Sequence, residues 1–200
     1  MAIDRIALKQ NSQIDFFKSL GTGSGRTFTP SDADSTTWAL LITSKSTQID
    51  ISQLSTVMAW RKFALSEEIF ELEAISAHGM WSGLQPFALT KGFDWRGEVA
   101  TITRARIRWS ENLHFWRAVP KVNSSLKQTA GLIRAIGIGE APLGLQGTFS
   151  HWQSQDAVRA FAYRDDAHRR AIEITAERRW YSEELFARFA VINHSLKTFI

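Results

Sequence analysis

Five histidines are the side chains in this sequence best suited to bind a metal or move a proton. They are His78, His114, His151, His168 and His194. Their spacing matches no metal-binding motif such as H-E-x-x-H, so a zinc site held by the protein is not predicted. The sequence contains no cysteine, which excludes disulfides, iron–sulfur ligation and cysteine nucleophiles. The histidines are therefore candidates for structural roles or for holding a cofactor.

A glycine-rich stretch, GTGSGRT at 21–27, has some of the character of a phosphate-binding loop. It lacks the Gly-Lys-Ser/Thr ending of a Walker loop, and turn residues rather than a helix follow it. The same glycine spacing recurs at Gly137 and Gly139. We therefore interpret it as a structural device at the end of a strand, where a bulge or a close backbone approach needs glycine.

An internal repeat organises the whole chain. The segment SEEIFELEAISAHG at 66–79 recurs as SEELFARFAVINHS at 182–195, an offset of 116 residues that also relates Gly21 to Gly137. The pattern predicts an α+β fold made of tandem ferredoxin-like repeats of order β-α-β-β-α-β. The first strand of the first repeat would fall before residue 1, so that repeat is predicted to lack it.

The predicted elements follow from alternation and from capping residues. Strands are expected in the first half at 36–43 and 67–78, with a helix at 48–64. In the second half, strands are expected at 98–109, 130–139, 144–152 and 184–194, with helices at 111–128, at 155–163 after the cap Ser154, and at 165–180. The domains are thus a first half at 1–80, a connecting segment at 81–97 and a second half at 98–200, in one compact unit.

Charge and hydropathy limit the partners and the location. The net charge of +4 comes from scattered lysines and arginines, which is typical of a solvated basic surface and not of a nucleic-acid binder. Modest attraction to an anionic membrane or to an acidic redox partner is compatible with this charge. No apolar run approaches the roughly 20 residues of a membrane span, and no signal peptide is visible. We expect a cytoplasmic protein, and peripheral membrane contact stays open as an alternative.

Four segments together resemble the spheroidene monooxygenase family. They are GTGSGRTFTP (21–30), TITRARIRWSENLHFWRAVP (101–120), IGIGEAPLGLQGTFSHW (136–152) and RRWYSEELFARF (178–189). The resemblance implies a dimeric α/β-barrel-type fold and oxygenation of acyclic carotenoids. It also implies dependence on haem iron, with O2 as co-substrate and an external electron donor such as a ferredoxin. A homodimer is one expectation for this fold class, although a tandem repeat could satisfy the same pairing internally.

His168 is the residue we predict as axial haem ligand and metal site. It shares the less polar face of its helix with Ala171 and Ile172, so it should face the sheet. The resemblance adds the ligand role, since histidines occur at this place in the family and in related haem barrels. The alternative is a histidine at the edge of the core or on the surface.

Four further residues are predicted to surround the cofactor or the substrate. Arg104, in a motif that belongs to the resemblance, could reach haem propionates or simply water. Arg188 lies in an apolar strand, where an unpaired charge is costly, and so is a functional candidate. Trp116 and Trp152 either form part of the core or wall a pocket for a long polyene. The glutamate pairs 67–68 and 183–184 are interpreted as solvated or capping charge.

Three other functions remain open at this point. The chain could be a haem enzyme with a different small-molecule substrate, or a non-catalytic carrier of haem or of an apolar ligand. It could also be a cofactor-free monooxygenase whose pocket alone activates an electron-rich substrate.

Overall fold

The computed structural model describes residues 2–23, 32–44, 49–90, 92, 94–108, 129–140, 145–164 and 181–199. The strands within these ranges are β1 (Phe16–Gly23), β2 (Ala33–Thr43), β3 (Ser66–Gly79), β4 (Val99–Ile107), β5 (Leu132–Gly139), β6 (Leu145–Trp152) and β7 (Tyr181–Thr198). The helices are α1 (Ala2–Gln10), α2 (Ser55–Arg61) and α3 (Gln155–Arg164), and a 3₁₀ turn covers Ile51–Gln53.

All seven strands belong to one antiparallel sheet with the order β2-β1-β5-β6-β4-β7-β3. The second half of the chain supplies the contiguous block β5-β6-β4-β7, which is the strand order of a ferredoxin-like unit. Strands of the first half flank this block, with β1 and β2 on one side and β3 on the other. The predicted α+β class is confirmed as a mostly antiparallel sheet with few helices.

The strand predictions from alternation are confirmed, but the helix predicted at 48–64 is wrong in extent. The Asp50 side chain accepts a hydrogen bond from the backbone N–H of Ser52 at 2.9 Å and starts the 3₁₀ turn. Leu54 then adopts an extended conformation, with φ −70° and ψ 123°, and α2 begins only at Ser55. Local side-chain bonding to the backbone therefore competes with the helix in this segment.

The glycines of the repeat lie inside strands. Gly21 pairs with Gly139 and Gly23 with Gly137 where β1 meets β5. The register of β1 against β2 shifts between Gly21 and Thr22, as at a bulge. The structural interpretation of Gly21 and Gly23 is confirmed, and neither lies in a phosphate-binding loop.

The sheet has two different faces, because side chains alternate along each strand. On the helix face, Val99 and Trp152 pack against Val158 of α3, whose first turn is capped by the Ser154 hydroxyl as predicted. On the core face, residues of all seven strands form one apolar cluster together with Trp81 and Phe87. Phe70 of β3 contacts Phe149 of β6, with ring centroids 5.1 Å apart although β4 and β7 lie between these strands, so the sheet curls over this face.

Candidate functional site

A buried ionic cluster lies at one end of the core face. Arg104 of β4 is only 3% exposed, and its two terminal nitrogens meet the carboxylates of Glu140 and Glu183. The Lys18 ammonium donates to Glu140 at 2.6 Å, and the Trp81 indole N–H donates to the other oxygen of the same carboxylate at 2.7 Å. We call these five residues the ionic cluster. It joins β1, β4, β7, the end of β5 and the segment after β3.

The tight turn after β3 holds Glu183 in place. The backbone N–H groups of Ser82 and Gly83 donate to its two carboxylate oxygens at 3.0 and 2.7 Å. Both residues have left-handed φ angles, 57° and 74°, which the turn requires in order to aim these two donors. The turn thus presents a small anion site that Glu183 fills.

The carboxylates of the ionic cluster are held in their charged form. Burial raises the pKa of Glu140. Hydrogen bonds from Lys18 and Trp81, together with the charges of Lys18 and Arg104, lower it by more than burial raises it, so its pKa lies below the ordinary value of 4.5. Burial likewise raises the pKa of Glu183, and the turn amides together with Arg104 outweigh this effect. The cluster therefore contains two cations and two anions and is balanced in charge.

A second polar group, the histidine cluster, lies at the opposite end of the core face. His151 is buried, and its Nε2 lies 2.8 Å from the carboxylate of Glu98. Its ring meets the edges of Phe70 and His194, with centroids 5.2 and 5.4 Å apart. His194 stacks on Phe70 at 4.3 Å, and its Nε2 lies 2.9 Å from a Glu68 oxygen. These five residues form the histidine cluster.

An apolar band separates the two clusters. Ala100 and Ile102 lie on β4 between Glu98 and Arg104, which are about 20 Å apart along an extended strand. Neighbouring side chains that are only half-buried, among them Ile136 and Phe149, border this buried centre. The half-buried border of the band offers apolar contact area and few hydrogen-bonding groups, which suits an elongated apolar ligand.

The structure places the predicted site residues on different faces. Arg104 lies on the core face, where its partners are carboxylates of the protein itself. Trp152 pairs with Val99 and lies on the helix face, where its indole N–H donates to Ser150 at 2.8 Å. Arg188 pairs with Thr101 and shares that face. Arg104 is therefore separated by the sheet from Trp152 and Arg188.

Two predicted residues, His168 and Trp116, lie outside the described residues. Among the described histidines, none presents a geometry that fits an axial haem ligand. The Nε2 atoms of His151 and His194 each face a carboxylate, and His78 lies exposed on β3. The haem prediction stays with His168, which, like His114, lies outside the described residues.

Sequence reasoning missed most of the ionic cluster. The interpretation of Glu183 as solvated or capping charge is wrong, because this side chain is largely buried against Arg104. Lys18, Trp81 and Glu140 were not selected at all, since they lie in separate segments that only the sheet brings together. One usable signal is Glu140 itself, a charged residue directly after the repeated glycine strand.

Metal-binding clusters and membrane-spanning helices are both absent from the described residues. Among the residues described, no three side chains of His, Asp or Glu converge in a way that could hold a metal ion. Within those residues, no helix is both long and apolar enough to cross a lipid bilayer.

Curated proteins of similar sequence share one name. Spheroidene monooxygenase of Rhodobacter capsulatus is 32% identical over 197 residues, covering 96% of this chain and 81% of the relative. That of Rubrivivax gelatinosus is 36% identical over 180 residues, covering 89% of this chain and 69% of the relative. That of Cereibacter sphaeroides is 26% identical, with 96% and 60% covered. No family model matches the chain.

Solved structures are more distant. A Fusobacterium nucleatum protein aligns over 100% of this chain and 87% of its own length, with 8% identity and a TM-score of 0.48. SnoaB, a cofactor-independent oxygenase from Streptomyces nogalater, aligns with 52% of this chain and 93% of its own length, with 16% identity and a TM-score of 0.35. Both TM-scores are below 0.5, so neither similarity assigns a function.

Proposed function

This chain belongs to the spheroidene monooxygenase family, and we propose that it inserts one oxygen atom of O2 into an acyclic carotenoid or a similar apolar polyene. The family supplies the reaction class, which is that of a monooxygenase. The observation that carries the substrate class is the apolar band of the core face, closed at each end by a polar cluster.

A polyene has almost no hydrogen-bonding groups, so it is bound by contact area and by exclusion of water. The band provides this through half-buried residues such as Ile136 and Phe149. Polar groups in its centre would lose water without gaining a partner, and the polar side chains of this face lie mainly at its two ends. This distribution supports an elongated apolar substrate over a compact polar one.

Monooxygenation needs electrons and protons as well as O2, because the second oxygen atom leaves as water. We propose that haem held by His168 supplies the oxygen activation and that an external donor such as a ferredoxin supplies the electrons. The apolar band orients the substrate, and the Glu98–His151 pair closes one end of the band with a polar contact.

We also propose that the fold is a tandem pair of ferredoxin-like units related by an approximate twofold axis. Two strand pairings support it. The repeat-equivalent strands β1 and β5 pair antiparallel, so that Gly21 meets Gly139 and Gly23 meets Gly137. The equivalent strands β3 and β7 also pair antiparallel along most of their length. A homodimer stays a prediction, to be tested by the mass of the purified protein in solution.

The activity is tested in cells that make an acyclic carotenoid and express this chain. We expect a product heavier than the substrate by one oxygen atom, with the oxygen derived from labelled O2, in chromatography coupled to mass spectrometry. Cells with an empty vector provide the control. Abundant folded protein with unchanged carotenoids would contradict the carotenoid proposal and favour a different substrate or a carrier.

The cofactor is tested separately by absorption spectra of protein from haem-replete cells. A Soret band that is lost or shifted in His168→Ala but retained in His78→Ala, a control at an exposed histidine, would support ligation by His168. A protein that stays colourless after haem titration would refute the haem proposal. Oxygenation by such a colourless preparation without iron would instead establish a cofactor-free monooxygenase.

A further inference from the structure

An exposed apolar and basic surface lies at one end of the paired strands β3 and β7. We propose that this surface, the tip patch, binds an anionic lipid membrane, with its apolar side chains inserted among the lipid chains and its lysines at the headgroups. The tip patch consists of Phe63 and Leu65 in the turn after α2, Leu196 and Lys197 near the end of β7, and Lys62.

The apolar members are far more exposed than is usual for their type. Phe63 is 80% exposed, Leu65 is 82% exposed and Leu196 is 69% exposed. Their backbones meet at one end of the strand pair, because the backbone N–H of Phe199 donates to the carbonyl of Leu65 at 2.9 Å and Leu196 pairs with Glu68 just inside β3. Since side chains alternate along a strand, Leu196 lies on the core face of this tip and Lys197 on the opposite face. Clustered exposed apolar side chains of this size mark an interaction surface.

The charges around the patch favour an anionic partner. Lys62 and Lys197 are both exposed beside the apolar side chains. The nearest acidic residues are already bound, because Arg61 donates twice to Glu67 at 2.6 Å and Glu68 is held by Arg134 and His194. Lysines next to exposed aromatic and aliphatic side chains are the combination found in peripheral membrane surfaces.

The position of the patch explains what membrane contact would achieve, and this step rests on the proposed function. Phe70 of the histidine cluster is four residues from the start of β3, about 13 Å along the strand. The tip patch therefore adjoins the histidine-cluster end of the apolar band. A polyene dissolved in the bilayer would reach the core face at that end without crossing water.

Sedimentation with lipid vesicles tests the proposal without substrate, haem or turnover. We expect the protein to bind vesicles of phosphatidylglycerol and phosphatidylcholine in equal amounts much more strongly than vesicles of phosphatidylcholine alone. Phe63→Ser with Leu65→Ser should weaken binding at least about tenfold, from the lost burial of two large apolar side chains. Lys62→Glu and Lys197→Glu should each weaken it about fivefold or more at low salt.

Control variants come from exposed residues of the same types elsewhere in the chain. Leu84→Ser with Leu89→Ser removes two side chains that are 58% and 50% exposed, and Arg159→Glu reverses an exposed charge on α3. These variants should bind the anionic vesicles like the parent protein. Equal losses in the control and tip-patch variants, or equal binding to the two kinds of vesicle, would overturn the proposal.

A single-site reporter keeps the test independent of changes in folding. Because the chain has no cysteine, Phe63→Cys can be labelled with an environment-sensitive dye at one site, with Leu89→Cys as the control. We expect a blue shift on anionic vesicles at position 63 and not at position 89. Self-association through this surface would appear as a mass in solution that rises with protein concentration and is lower for Phe63→Ser. That result, together with no dye shift on vesicles, would overturn the proposal. Vesicle binding without oxygenated product in cells would refute the proposed function alone.

Discussion

Replacing Arg104 by methionine should destabilise the protein strongly, because it leaves two buried carboxylates short of a cation. Arg104 is 3% exposed and bridges Glu140 and Glu183. Removing one partner of a buried ion pair costs about 3–5 kcal/mol. The lower end applies here, since Glu140 keeps Lys18 and Trp81, and Glu183 keeps the turn amides. We therefore expect a loss of about 3 kcal/mol in the free energy of unfolding.

Urea unfolding followed by tryptophan fluorescence measures this loss, and a thermal melt should show a midpoint about 6–12 °C lower for a chain of this size. Arg106→Met provides the control, because Arg106 follows two residues later on the same strand and is exposed. That control should change the free energy of unfolding by no more than about 0.5 kcal/mol. Equal losses in Arg104→Met and Arg106→Met would refute the assignment of the ionic cluster as a buried network.

A double-mutant cycle isolates the contact between Arg104 and Glu183. Glu183→Gln alone should destabilise the protein, because a neutral amide offsets less of the free-energy cost of burying the charged Arg104. The double variant should lose less than the sum of the two single losses, by about 1–3 kcal/mol, since neither charge then lacks its partner. Additive losses would show that the two side chains act independently.

Three further predictions follow from the same contacts. The lowered pKa values of Glu140 and Glu183 contribute stability that is complete above their ordinary value of 4.5 and is lost as the pH falls through the pKa values of the folded protein. The free energy of unfolding of Glu140→Gln should therefore fall less steeply with acid than that of the parent protein. The exposed control Glu184→Gln should behave like the parent. Gly79→Ala should lower the free energy of unfolding by at least about 2 kcal/mol, because φ is +86° at this position and a Cβ would overlap the Glu184 carbonyl. Gly83→Ala should lower it by about 1 kcal/mol, because φ is +74° there but the space around the new Cβ is open. Ser154→Ala should cost about 1 kcal/mol and lower the helicity of α3 by circular dichroism, through loss of the cap to the Ala157 N–H.

Sequence patterns predicted the fold better than the site, for a physical reason. Strand alternation and the 116-residue repeat are local or periodic signals, and they located β3, β4, β5 and β6 within two residues of their observed bounds, while β7 extends further at both ends than predicted. The ionic cluster depends instead on contacts between distant segments, such as Lys18 with Glu140, which are 122 residues apart. No pattern in one sequence indicates which buried cation will meet which carboxylate, so Glu183 was misinterpreted as a solvated charge.

The two ends of the core face differ in how easily they can open. At the ionic-cluster end, Arg104, Glu140 and Glu183 tie five chain segments together, and opening them would expose buried apolar surface and break ion pairs at once. At the other end, Phe70 lies on the edge strand β3 and His194 on its neighbour β7, and both side chains are only partly covered. Openings that admit ligands occur where few buried contacts must break. An apolar substrate should therefore enter past Phe70, so that substitutions at Phe70 change ligand affinity while substitutions at Arg104 act mainly on stability.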